Sequence, residues 1–162
     1  MDFHSILSLG KEFLVLLIVF AALLAYAIIR GKRALMSLIL GLYGALLISL
    51  KFPYYDAIYN HTAREGKTVS IITIVIFALF TVLGTILFER LLFDDYEGSK
   101  FEGLPKKVIL AILGTILVLA FSYHVLPVTT LVNPGSAIST IFSPPQYFFW
   151  FLVIPLIGLF FI

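Results

Sequence analysis

Between Phe13 and Ile29 the chain carries no Asp, Glu, Lys, Arg or His. The same holds for Ala34–Leu50, Val69–Phe88 and Val108–Tyr123, and after Lys107 no Asp, Glu, Lys or Arg occurs at all. A helix rises about 1.5 Å per residue, so about 20 apolar residues cross the hydrocarbon of a bilayer. Uncharged runs of that length, with charge confined to the gaps, constrain the chain to a membrane. Composition agrees. Hydrophobic residues make up 61% and charged residues 12%, whereas soluble domains carry about 25% charge. Lipid can cover such a surface; the core of one small soluble domain cannot.

The runs predict an all-α, polytopic transmembrane bundle forming a single domain over 1–162. Four spans are expected near 12–29, 34–52, 68–88 and 107–126. A fifth apolar stretch, 147–162, contains Pro155, which removes a backbone donor and bends a helix. It reads as a fifth crossing, a re-entrant piece or an interfacial helix. The linker 128–146 carries Asn133-Pro134-Gly135 and Ser143-Pro144-Pro145 as turn signals yet no charge, so it should hug the membrane or the helices. The cluster Tyr147, Phe148, Phe149 and Trp150 suits the headgroup level. The first run is followed by Arg30, Lys32 and Arg33 and not by a small-residue cleavage pattern, so it reads as a retained span.

Lys and Arg favour the cytoplasmic side of a membrane. Arg30, Lys32 and Arg33 occupy the first turn, and Arg90, Lys100, Lys106 and Lys107 the third connection, on the same side. Lys11, Lys51, Arg64 and Lys67 fall on the other. This bias predicts an amino terminus outside and the more basic loops inside. Arg30, Lys32, Arg33, Lys106 and Lys107 are candidates for topological anchoring and for contact with anionic headgroups.

Packing is most legible in the second run, where Ser37, Gly41, Ala45 and Ser49 recur every four residues on one stripe. Small stripes let membrane helices approach closely. The partner is the first or third helix of the same chain, a second copy, or another protein. Ala21 with Ala25, Thr81 with Thr85, and Ala111 with Thr115 give shorter stripes of the same kind.

Chemistry is sparse. There is no cysteine, which removes disulfides, thiolate catalysis and thiolate metal sites. No nucleophile elbow, zinc-protease or phosphate-loop motif is present. His124 ends an apolar run without an acid or second His at ligand spacing. His61 has Asp56 nearby, short of the three or four ligands a metal needs, and His4 has no evident partner. Ser122 and His124 stand at i,i+2, a spacing that does not face on a helix. We therefore expect no enzyme activity, no catalytic, metal or cofactor site, and no nucleic-acid binding, which needs a solvated basic patch. Partners should be membrane lipids and a protein partner or a second copy. An alternative is a small oligomeric transporter or channel subunit lined by Ser70, Thr73, Thr81, Thr85, Thr115 and Ser122.

The stretch Arg30-Gly31-Lys32-Arg33-Ala34-Leu35-Met36-Ser37-Leu38-Ile39-Leu40-Gly41, running on to Phe52, resembles the colicin V production protein family. The shared features are a first span, a Gly-bearing basic turn and a second span rich in small residues. Leu104–Pro127, with Gly114, is more loosely similar to that family's last helix. The resemblance implies a small multi-span inner-membrane protein with a role in toxin export or envelope homeostasis. It implies no enzyme activity and no catalytic residues.

Overall fold

A computed structural model describes residues 3–53, 66–91, 103–124 and 144–161. The described residues form five helices: α1 (Phe3–Arg30), α2 (Lys32–Leu50), α3 (Gly66–Leu91), α4 (Leu104–His124) and α5 (Pro145–Phe161). Four of them hold windows long and apolar enough to cross a membrane: Phe13–Arg30, Lys32–Leu50, Thr68–Leu91 and Leu104–Tyr123. In hydrocarbon every backbone polar group must be satisfied within the chain, and a helix does this segment by segment. The architecture is thus an all-α transmembrane bundle of four spans plus a shorter apolar helix, and the chain is a membrane protein.

The helix ends differ from the expected spans for local reasons. α1 starts well before residue 12, its mixed opening Phe3–Glu12 containing no proline to stop it. α2 starts at Lys32 because Gly31 alone makes the turn from α1. Its φ of 93° and ψ of 167° lie in a region essentially reserved for glycine, and its N–H still donates to the Ala27 carbonyl at 3.1 Å. α4 starts at Leu104, with Pro105 in the first turn, where no intrahelical donor is required. Pro145 opens α5 for the same reason. The linker 128–143, the loop holding Asp56 and His61, and the connection 92–102 lie outside the described residues, as do the side chains of His4 and His124.

α2 is the hub. Half of its span is buried, and α4 is buried to 56%, against 22% for α3 and 6% for α1. α2 packs most extensively on α3 and also touches α1 and α4. α4 in turn packs on α1 and α5. The shared core contains Leu23 and Ala27 of α1, Leu35, Ile39 and Leu46 of α2, Phe77 of α3, and Leu110, Leu117 and Phe121 of α4. The expected small stripe of α1 is not used: Ala21 and Ala25 are exposed, while Leu23 and Ala27 are buried. A large side chain fits there because α4 supplies the notch, with Gly114 standing against the tip of Leu23.

α5 lies alongside α4 and α2, not across their ends. Its carboxy-terminal half meets α4 at Gly158 against Leu113, and its amino-terminal half packs Phe148 and Phe151 near Leu119 and Ala120. The pair is therefore antiparallel. At 17 residues, α5 measures roughly 25 Å.

The outward surface is apolar. Phe13, Leu17 and Ile18 of α1 and Val75, Leu79 and Val82 of α3 are all more than half exposed. Contiguous apolar surface of this extent is not left to water in monomeric soluble proteins.

Candidate functional site

Two features concentrate the non-generic residues: the seam between α2 and α3, and the charged end of the bundle at the α1–α2 turn. In the seam, Ser37, Gly41, Ala45 and Ser49 are all buried. From α3, Ser70, Thr73, Phe77, Thr81 and Thr85 form the buried stripe at helical spacing. At the crossing, a Cβ on Gly41 would stand 2.6 Å from Thr85 Oγ1, 2.7 Å from the Thr85 nitrogen and 2.9 Å from the Thr81 carbonyl. A Cβ on Gly84 would stand 3.0 Å from Gly41 Cα. The two backbones thus touch, and any side chain at either glycine forces them apart.

The threonine hydroxyls of the seam, and two hydroxyls of α4, back-bond onto their own helices. Thr81 donates to the Phe77 carbonyl at 2.9 Å and Thr85 to the Thr81 carbonyl at 2.7 Å. Thr73 donates to Val69 at 2.9 Å, Thr115 to Ala111 at 2.7 Å and Ser122 to Val118 at 2.8 Å. This four-residue back-bonding lets a hydroxyl sit in an apolar interface. Ser37 differs: its Oγ is fully buried with no hydrogen-bond partner.

The charged end gathers Arg30, Lys32 and Arg33 of the α1–α2 turn, Glu89 and Arg90 of α3, and Lys106 and Lys107 of α4. α3 runs antiparallel to α2, so its last turn arrives beside Arg33. Arg33 Nη2 donates to the Glu89 carbonyl at 2.9 Å. That carbonyl is among the last four of α3, which lack an intrahelical donor, and a cation there also suits the helix dipole. Arg30, 60% exposed, stands 3.7 Å from Glu89 Oε1. Lys106 and Lys107 part company: Lys106 is exposed, and Lys107 is buried at 6%. Adjacent helical positions point about 100° apart, so only one of the pair faces outward.

Sequence reasoning missed these contacts of Arg30 and Arg33 with Glu89, and a further one between α2 and α5. The Tyr43 hydroxyl donates to the Leu152 carbonyl of α5. Pro155 has no N–H, so the Phe151 carbonyl, adjacent to that of Leu152, loses its usual donor. A neighbouring side chain can satisfy backbone groups freed in this way inside a membrane. The same Tyr43 ring meets Phe121 of α4 edge-on at 6.3 Å, and Phe121 meets Phe77 of α3 edge-on at 5.9 Å. One aromatic chain therefore ties four helices together. The available signal was Pro155 in an apolar helix with a tyrosine elsewhere in the bundle.

Comparison with known proteins finds no match among family models, curated proteins or solved structures.

Proposed function

We propose that this chain is an integral membrane accessory or scaffold protein of the colicin V production type, seated in the inner membrane with its amino terminus outside. It works by holding a partner's membrane segment and has no reaction of its own. The observation that supports this reading is where its polar groups are engaged. Thr73, Thr81, Thr85 and Thr115 back-bond to their own helices, and the described charges lie at or beyond the ends of the apolar windows. What the bundle offers outward is an apolar flank: Val75, Leu79, Val82 and Ile86 of α3, opposite the α2 seam. α3 packs extensively on α2 alone, which leaves most of its circumference for lipid or another helix.

The test is a photo-crosslinking residue at Leu79, used in native membranes. The reading expects a discrete protein adduct that is lost when the residue is moved to buried Thr81. Lipid adducts alone would remove the scaffold reading. The oligomeric transporter is weaker on the same observation, because Thr73, Thr81, Thr85, Thr115 and Ser122 direct their hydroxyls to backbone carbonyls. Solute flux in proteoliposomes would restore it.

A further inference from the structure

Where α1 turns into α2, a cleft of about 360 Å³ opens, lined by Ile29, Arg30, Arg33, Ala34 and Glu89. Its two arginines are held differently. Arg33 is anchored through the Glu89 main-chain carbonyl at 2.9 Å. Arg30 is mostly exposed and 3.7 Å from the Glu89 carboxylate, longer than the roughly 2.7–2.9 Å of a charge-assisted hydrogen bond. The guanidinium of Arg30 is thus attracted to Glu89 but not locked by it. A guanidinium offers planar paired donors that match a phosphate. Ala34 adds only a methyl to the lining of the cleft, and α2 begins there with no side chain capping its first turn. The apolar spans end at this level, where lipid phosphates lie.

We propose that this cleft binds a phosphate group between Arg30 and Arg33, from an anionic phospholipid or from a free phosphate in solution, and that Glu89 is the resident competitor for Arg30. A phosphate and the Glu89 carboxylate repel, so occupancy requires Glu89 to release Arg30. The two neighbours therefore act with opposite sign. Arg30→Gln removes a ligand and weakens binding, while Glu89→Gln removes the competitor and strengthens it. This does not depend on the scaffold reading.

The experiment is native mass spectrometry of the full chain in detergent, titrated with phosphatidylglycerol and, separately, phosphatidylcholine. Phosphatidylglycerol should bind preferentially. Arg30→Gln should weaken it about tenfold, the effect of losing a hydrogen bond to a charged group, and Glu89→Gln should tighten it. Arg90→Gln makes the same charge change on an exposed residue of the same end, outside the cleft, and should leave binding near the parent value. A parallel arm adds inorganic phosphate: displacement of the lipid shows that the site accepts free phosphate, and retention assigns it to the headgroup. Either result supports a phosphate site. Equal binding of both lipids, an equal loss in Arg30→Gln and Arg90→Gln, or weaker binding in Glu89→Gln overturns it. Thermal unfolding of each variant identifies any loss caused by misfolding.

Discussion

Gly84 of α3 lies with its open face against the backbone of Gly41 in α2, so close that a methyl on Gly84 would stand 3.0 Å from the Gly41 Cα. Without a hydrophobic force between helices in lipid, association depends on such close packing. This contact makes α2 and α3 a unit and aligns the two stripes on either side of it.

Gly41→Ala should therefore destabilise the bundle by about 1–3 kcal/mol, the usual cost of overpacking. The atoms it meets are mostly Thr85 and Thr81 backbone, which cannot swing aside. Gly44→Ala is the control: its Cβ would meet only Phe88 Cε2 at 3.7 Å, an ordinary contact. Thermal unfolding in detergent should rank Gly41→Ala well below the parent and Gly44→Ala beside it. Equal melting temperatures would mean that the crossing does not bear on stability.

Ser37→Ala should leave stability unchanged or raise it by up to about 1 kcal/mol, because it deletes a buried hydroxyl that has no partner. Thr85→Val provides the contrast, since it removes a hydroxyl that is satisfied at 2.7 Å. A clear loss of stability in Ser37→Ala, measured by the same unfolding assay, would show that this hydroxyl is engaged.

The Tyr43 bond to Leu152 should matter most while Pro155 is present. Tyr43→Phe is expected to cost about 0.5–1.5 kcal/mol, the range for hydrogen bonds between membrane helices, and to loosen α5 first. Pro155→Ala restores the donor for the Phe151 carbonyl and should shrink that cost. Hydrogen exchange across residues 145–161 in the two single variants and the double variant measures the coupling. Additive effects would separate the tyrosine from the proline.

Gly158 is filled by Leu113: a Cβ at Gly158 would collide with the Leu113 Cδ1 tip. Gly158→Ala makes the flexible Leu113 tip turn aside, so it should weaken the docking of α5 only slightly, and Leu113→Ala, by opening space, should remove that cost in the double variant. Protease sensitivity near residue 145 reports the docking. A double variant that is the plain sum of the singles would place the two residues out of contact.

The chain has no cysteine, so single-cysteine variants label at one site. Lys32→Cys and Lys106→Cys should react from one face of the membrane and Lys51→Cys from the other, because α1 and α3 end where α2 and α4 begin. With the amino terminus outside, Lys51→Cys labels in intact cells and Lys32→Cys does not. Lys32 is a better position than Gly31, whose φ of 93° makes any side chain strained.

The amino-acid sequence alone determined the solvent and the fold class. Charge-free runs the length of a bilayer can satisfy their backbone within the run itself only as helices, and that property is local, so four spans and the small stripe at Ser37, Gly41, Ala45 and Ser49 were legible directly. Tertiary structure decided the partners. A small stripe states that something comes close but not which helix, and only the fold sets Gly41 against Gly84 and leaves Ala21 and Ala25 facing outward. Likewise it set Arg33 on the Glu89 carbonyl and Tyr43 on the Leu152 carbonyl. Those contacts join residues 56 and 109 positions apart, and their geometry depends on how whole helices stack, which no window along the chain contains.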